Sequence, residues 1–190
     1  MSQIKIRKAK REDSAAIATY LLLAMEDIVC EFIGQKDANK AKDFLIHFIQ
    51  QEHNQYSYQN CFVAEDNHHI IAAVNIYDGS RLKELRVPIS LYIEENFKTE
   101  FNPEDETKPG EFYIDSLGVN PNQQGKGIGA TILEFLINYY VTQKGHTIGL
   151  LVDEENPGAK KLYLKLGFKP VGQKILVGKR MQHLQIKPEP

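Results

Sequence analysis

The chain has 190 residues, which predicts a single domain spanning residues 1–190. Its 42% hydrophobic and 25% charged residues are typical of a soluble globular protein and exclude a disordered or fibrous chain. Lys and Arg number 23 against 25 Asp and Glu, a formal net charge of −2. We therefore expect no nucleic-acid partner, because no net positive field draws the chain to a polyanion.

Two cysteines, Cys30 and Cys61, are too few for a disulfide framework and lack the neighbouring ligands of a metal site. They predict reduced thiols in a cytoplasmic protein. The apolar run Ala15–Met25 is followed at once by Glu26 and Asp27 and is shorter than the ~20 residues of a membrane span. It predicts a buried helix, and we expect no membrane partner.

The first 77 residues predict a half-buried strand, two helices with apolar residues at helical spacing, and two antiparallel strands joined by a tight turn. The expected bounds are Ile4–Ala9, Asp13 (as N-cap) to about Cys30, Asp37–Gln51, Cys61–Asp66 and His69–Tyr77.

The segment Gly79–Gly110 is too long for a hairpin connection, which usually takes about 2–5 residues. We expect an insertion with a short helix near Ser90–Phe97. Its carboxylates are interpreted as a solvated rim, with attraction of a polyamine-like substrate as the alternative. They are Glu94, Glu95, Glu100, Glu104, Asp105 and Glu106.

Beyond the insertion, strands and helices alternate, which predicts a parallel or mixed sheet with crossover helices. The expected elements are a strand Glu111–Val119, a helix Gly127–Gln143, a strand His146–Val152, a helix Asn156–Leu166, a short segment Phe168–Gly172 and a last strand Lys174–Leu184. The tail, residues 186–190, is expected to be loose.

A glycine-rich turn, Asn120–Gly129, lies between a predicted strand and a predicted helix. Gly125, Gly127 and Gly129 alternate there, an arrangement that lets main-chain amides and a helix N-terminus approach phosphate oxygens, and Lys126 adds a positive charge. The spacing excludes both the P-loop and the dinucleotide-binding fingerprint. Taken alone, the turn is equally compatible with a simple strand-to-helix connection.

A second motif follows in the helix that begins after Asn156. Asn156 is a good N-cap and Pro157 suits the first helical position. Asn156, Ala159 and Tyr163 share one helical face, and Gly167 ends the helix. Without further context, Tyr163 is interpreted as a core tyrosine with a satisfied hydroxyl.

Together the two motifs resemble those of the GCN5-related N-acetyltransferases (GNAT). The resemblance rests on Leu117–Pro121 with Gln124–Gly129, and on Asn156, Ala159, Tyr163, Gly167 and Phe168. It is strong from about residue 111 to 171 and looser before residue 77. It implies an α/β (α+β) fold: a mixed, mostly antiparallel sheet of about seven strands, splayed between the fourth and fifth, flanked by about four helices.

The resemblance also implies the chemistry. The family binds acetyl-CoA as co-substrate and passes the acetyl group directly to an amine, without a metal. Tyr163 would protonate the departing thiolate, and Asn156 would touch the pantetheine. The implied acetyl-CoA positions are Leu117, Gly118, Val119, Gln124, Gly125, Lys126, Gly127, Ile128, Gly129, Ala130, Asn156, Ala159 and Tyr163.

Family members often carry a carboxylate on the strand before the glycine turn. Strand alternation puts Glu111 and Asp115 on one face, so Asp115 is the first candidate base and Glu111 the second. A solvated or ion-paired carboxylate is the alternative for each. Glu26 and Glu31 are candidates to line the acceptor cleft, or they lie on an exposed helix face.

The expected function is therefore N-acetylation of a primary amine on an unidentified small molecule or peptide. Two alternatives stay open: a non-catalytic acetyl-CoA-binding module, and an acyltransferase with another acyl-CoA or acceptor. The oligomeric state is open, a homodimer included. His68 and His69 point to opposite sides of a strand, and His47 and His53 do not share a helical face, so neither pair predicts a metal site.

Overall fold

Seven strands form one sheet in the computed structural model, which describes residues 4–189. They are β1 Lys5–Lys8, β2 Cys61–Asp66, β3 His69–Asp78, β4 Phe112–Val119, β5 Ile148–Asp153, β6 Lys169–Leu176 and β7 Lys179–Ile186. The spatial order is β1-β2-β3-β4-β5-β7-β6. Only the β4–β5 pair is parallel, which confirms the mixed, mostly antiparallel sheet.

Five α-helices accompany the sheet in the described residues, one for each helix predicted along the chain and one more than the about four that the resemblance implied: α1 Ser14–Phe32, α2 Ala38–Ile49, α3 Leu82–Phe97, α4 Ile128–Leu136 and α5 Pro157–Lys165. Helix α4 continues into a π-helical turn, Ile137–Thr142. The Asp37 carboxylate caps α2 by accepting from the amides of Asn39 and Lys40. Asp13 occupies the N-cap position of α1 as predicted, but its carboxylate makes no capping bond and instead accepts hydrogen bonds from Arg7 and the Lys10 amide.

The helices cover both faces of the sheet. Along β2, Cys61 and Val63 pack with α1, α2 and α3, whereas Phe62 and Ala64 pack with α4 and the α5 side. Successive side chains of a strand point to opposite faces, so the alternation places one helical layer on each face. Within residues 4–189, no helix is both long and apolar enough to cross a membrane.

The insertion is more helical than predicted. Helix α3 begins at Leu82, not near Ser90, and continues through Pro88. A proline inside a helix removes an amide donor, which is why the sequence suggested only a short helix after it. Here four side chains of α3 are buried: Leu82, Leu85, Ile89 and Ile93. This packing compensates for the proline.

The C-terminal strand prediction is also wrong in detail. The expected strand Lys174–Leu184 is divided by a turn at Val177 and Gly178, both with positive φ. Its first half continues the segment before it as β6, and the second half returns as β7. Strand β7 reaches Ile186, which pairs with Ile148, so residue 186 belongs to the sheet and not to a loose tail; Pro190 lies outside the described residues.

Candidate active site

A cavity of about 730 Å³ opens where β4 and β5 separate. The two strands pair only from Phe112 to Ile114 on β4 and from Ile148 to Leu150 on β5. Beyond that point one backbone edge of β4, residues 115–119, has no strand partner, while its other edge stays paired with β3. The splay between the fourth and fifth strands is thus confirmed, and it leaves hydrogen-bonding groups facing a cavity in the middle of the sheet.

The glycine turn forms the rim beyond the end of β4. Gly125 and Gly127 have φ of +77° and +79°, which favours glycine, and a Cβ on either would meet open space. Gly127 precedes α4 without a capping side chain. The first amides of α4 precede its first intrahelical bond, so they are free to bind an anion. Lys126 is exposed, and its ammonium donates to the Gln123 side chain at 2.9 Å.

Helix α5 borders the cavity on the β5 side. The Asn156 side chain accepts a hydrogen bond from the Ala159 amide at 3.1 Å, as expected of an N-cap. The Tyr163 ring packs edge-on against Phe168, with centroids 5.8 Å apart, and Tyr163 lines the cavity. Burial raises the pKa of Tyr163, so its phenol keeps its proton at neutral pH.

Helix α1 lies over the open edge of β4. A Cβ on Gly118 would lie 1.8 Å from the carbonyl oxygen of Tyr20, so only glycine fits this crossing. The Ser116 hydroxyl donates to the carbonyl of Leu21, whose normal helical partner is the amide of Met25. Met25 has non-helical angles, φ −137° and ψ 18°, so α1 bends here and its residues 22–28 line the cavity.

Asp115 lies at the inner end of the cavity. Its Oδ2 accepts hydrogen bonds from the Gln55 side chain at 2.6 Å and from the Tyr77 hydroxyl at 3.1 Å. Burial, and next the charge of Glu106, raise the pKa of Asp115 to about 7. Asp115 is therefore neither a solvated nor an ion-paired carboxylate. Its pKa is suited to accepting a proton near neutral pH.

Glu106 is a site residue that the sequence analysis missed. It was assigned to the solvated rim, yet it is 5% exposed and lines the cavity. Its Oε1 accepts from Gln55 at 2.9 Å and from Tyr77 at 3.0 Å, and its Oε2 pairs with Arg86 of α3. The other five carboxylates of the run are exposed, as predicted.

Glu111 lies at the other end of β4, outside this cavity. Its carboxylate accepts hydrogen bonds from Thr107 at 2.7 Å, His183 at 2.9 Å and Gln185 at 2.6 Å. Burial alone would raise the pKa of Glu111, but these hydrogen bonds outweigh it and hold the pKa below its ordinary value. A Cβ on Gly149 would lie 1.9 Å from the carboxylate. Glu111, the second candidate base, therefore lies in a buried hydrogen-bond network outside the cavity that contains Asp115.

The remaining predicted positions divide into two groups. Seven line the cavity directly: Leu117, Gly118, Val119, Gln124, Asn156, Ala159 and Tyr163. The others, Gly125–Ala130, form the adjacent turn and the first turn of α4. Glu26 is exposed on α1 and lines the cavity, whereas Glu31 does not line it. Within the described part of the chain, no cluster of His, Cys, Asp or Glu is placed to hold a metal ion.

The split sheet, the glycine turn and the cavity between them point to the GNAT class of proteins. The model of the acetyltransferase (GNAT) family matches residues 22–168, and the chain belongs to this family. Members of the family generally use acetyl-CoA as the acyl donor.

Relatives agree with this assignment. The chain is 36% identical over 66 residues to the N-alpha-acetyltransferase RimI of Mycobacterium tuberculosis, a match that covers 35% of this chain and 40% of that protein. A solved acetyltransferase is 28% identical with a TM-score of 0.81, over 97% of this chain and 100% of its own. An N-acetyltransferase from Staphylococcus aureus Mu50, 23% identical with a TM-score of 0.82 over 96% and 100%, shares the fold.

Proposed function

We propose that the protein transfers the acetyl group of acetyl-CoA directly to a primary amine of a small molecule or peptide. The observation that carries this proposal is the continuity of the cavity. It runs from Gln124 beside the glycine turn, along the unpaired edge of β4, to the carboxylate of Asp115. An extended donor and a separate acceptor can therefore meet inside one continuous cavity.

The donor half suits an extended thioester with a diphosphate. Free amides at the start of α4, with Lys126 nearby, favour the diphosphate. The unpaired edge of β4 offers strand-like hydrogen bonds to the amides of the pantetheine, as a peptide adds to a sheet edge. A main-chain amide near Leu117 would then polarise the thioester carbonyl, on which negative charge develops during attack.

The acceptor half supplies the proton transfers. The neutral amine attacks the carbonyl carbon, a C–N bond forms, and the C–S bond breaks. Asp115 takes the proton lost by the amine nitrogen, and Tyr163 gives its phenolic proton to the departing thiolate. The products are an amide and free CoA; Asp115 then releases its proton to solvent and Tyr163 recovers one from solvent, which restores both groups. A base with a pKa of about 7 accepts this proton with little driving-force penalty at neutral pH.

The test is a thiol-release assay with acetyl-CoA and a panel of polyamines, aminoglycosides, amino acids and peptide N-termini, with mass spectrometry of the products. We expect acceptor-dependent thiol release and an acetylated amine. Calorimetric binding of acetyl-CoA without thiol release for any acceptor would favour a non-catalytic module. Release only with another acyl-CoA would identify a different acyltransferase, and no binding of acetyl-CoA or desulfo-CoA would refute the proposal.

A further inference from the structure

Two carboxylates share the same two hydrogen-bond donors at the inner end of the cavity. Gln55 Nε2 and the Tyr77 hydroxyl each lie within 3.1 Å of Asp115 Oδ2 and of Glu106 Oε1. The amide nitrogen carries two protons and the hydroxyl carries one. These three protons face four contacts with the carboxylate oxygens and a fifth, at 3.1 Å, between Gln55 Nε2 and the Tyr77 oxygen. A fourth proton, on one of the carboxyl groups, would satisfy the four contacts with the carboxylate oxygens.

Arg86 decides which carboxyl group carries that proton. Its guanidinium pairs with Glu106 Oε2 and also donates to the carbonyls of Pro103 and Glu104. The contact therefore places a positive charge directly beside Glu106. Asp115 has no such cation among its hydrogen-bond partners, which are Gln55 and Tyr77. The extra proton therefore belongs on Asp115.

We propose that Glu106 is a positioning residue for Asp115: the two side chains form a carboxyl–carboxylate pair that shares one proton, and the insertion supplies the second member. This inference rests on the proposed function, in which Asp115 is the base. It gives the insertion a role in proton transfer, because α3 carries Arg86 and the segment after α3 carries Glu106.

Arg86 is the charged side chain in contact with the pair, and it also forms an ion pair with the exposed Asp105 at 3.3 Å. Burial raises the pKa values of the Tyr56, Tyr77 and Tyr113 hydroxyls well above the ordinary value for tyrosine. Burial also raises the pKa of the Cys61 thiol to about 12. All four groups are therefore neutral at pH 7. Farther along the cavity wall lie charged residues of α1, β5 and β7, namely Glu26, Asp27, Asp153 and Lys179. None of these four is hydrogen-bonded to Asp115 or Glu106.

The pair assigns a path for the proton. When ionised Asp115 takes a proton from the amine, the new O–H group can donate to the Tyr77 oxygen, and the Tyr77 hydroxyl turns to donate to Glu106. Four protons are then available for the four contacts that Gln55 and Tyr77 make with the two carboxyl groups. No other bond changes, and the negative charge stays on Glu106 beside Arg86.

The test is a carboxyl ¹³C NMR titration of the full chain with labelled Asp and Glu, in which the Asp115 signal is identified by its loss in Asp115→Asn. We expect Asp115 to titrate near pH 7 and its signal to respond to both carboxyl groups. In Glu106→Gln the midpoint should fall by about 1–3 pH units, because a like charge is removed while Arg86 remains. Glu100→Gln, the same change at an exposed site in the insertion, should leave it unchanged.

A wild-type Asp115 that titrates in one step near pH 4, or an equal response to Glu106→Gln and Glu100→Gln, overturns the pair. If Glu106→Gln fails to fold, the wild-type titration decides alone. This measurement needs no acceptor, so its outcome is independent of the proposed function. A confirmed pair without acetyl transfer refutes only the function. With transfer established, the pH profile of kcat/KM should shift downward in Glu106→Gln, an effect that loss of packing would not produce.

Discussion

The two ends of the cavity are built from different parts of the chain. The turn beside α4 consists of consecutive residues, and what it offers is main-chain amides kept accessible by Gly125 and Gly127. The inner end is a network of buried side chains from four separate parts of the chain. Gln55 comes from the loop that precedes β2, Tyr77 from β3, Asp115 from β4 and Glu106 from the insertion. A backbone site needs only local geometry, whereas the side-chain site depends on the packing of the whole fold. Substitutions at the inner end should therefore change rate and pH dependence, and those at the turn should change affinity.

The largest effect is expected for Asp115→Asn. Removal of the base should lower kcat by about 10²–10⁴-fold, the usual contribution of general base catalysis, and flatten the rise of rate with pH. Acetyl-CoA affinity should stay unchanged, because Asp115 is remote from the glycine turn. Steady-state kinetics across a pH series, with calorimetry of acetyl-CoA binding, measure both. An unchanged pH profile would exclude Asp115 as the base.

The next effect is expected for Tyr163→Phe. It removes the phenolic proton but keeps the ring that packs on Phe168, so turnover should fall by about 10²-fold while acetyl-CoA affinity changes little. Comparison of kcat with the dissociation constant from calorimetry separates the two. Equal turnover in the variant and the wild type would remove the acid role.

A third effect concerns stability. The pKa of Asp115 is raised, so the folded state holds a proton that the unfolded state loses, and stability falls as pH rises from about 4 to about 7. Asp115→Asn avoids this loss. It should be more stable than the wild type by about 4 kcal/mol above pH 7, with the difference vanishing below about pH 4. Urea unfolding at a series of pH values measures it.

Glu111→Gln is the matched control with the opposite sign. The pKa of Glu111 is lowered, so its stabilisation is present above the unfolded pKa of about 4.5 and is lost as pH falls through the folded pKa. The wild type should be more stable than this variant at neutral pH, and the gap should close in acid. If the stability of the two variants relative to the wild type changed with pH in the same direction, the opposite pKa shifts of Asp115 and Glu111 would be contradicted.

The smallest effect is expected at the turn, for Gly127→Ala. A left-handed backbone costs a side chain about 1–2 kcal/mol, and the added methyl group would lie where the proposed phosphate binds. Acetyl-CoA affinity should fall by about tenfold, with kcat at saturation little changed. Gly145→Ala carries the same strain, with φ of +68° and open space around a Cβ, but lies outside the cavity. An equal loss of affinity in both variants would show that strain alone is responsible.

The sequence predicts the turn end far better than the inner end. Three features can be predicted from the sequence because each is encoded by residues that are neighbours in the chain: the glycine turn, the Asn156 cap and the position of Tyr163. Glu106 is not readable in this way, since a carboxylate within an acidic run resembles its exposed neighbours until α3 brings Arg86 beside it. Gln55 and Tyr77 carry no motif, and 22 residues separate them in the chain.

Errors in the elements have the same origin. The sequence predicts too short a helix in place of α3, because Pro88 breaks local helix propensity. The burial of Leu85 and Ile89, which compensates for the proline, depends on residues distant in the chain. The turn at Val177 and Gly178 was missed because a valine with positive φ is not an ordinary turn signal. The bend of α1 at Met25 depends on the Ser116 hydroxyl, 95 residues from its acceptor at Leu21.

The divergence of β4 and β5 has a consequence for solubility. A strand edge with unpaired N–H and C=O groups at the margin of a sheet can pair with another molecule and cause aggregation. Here the vacant edge is enclosed between two strands held by the remainder of the fold, with α1 across it. In this position the edge is not available at the margin of the sheet for pairing with another molecule. The unpaired hydrogen-bonding groups of β4 thus lie in the interior of the protein, where they border the cavity.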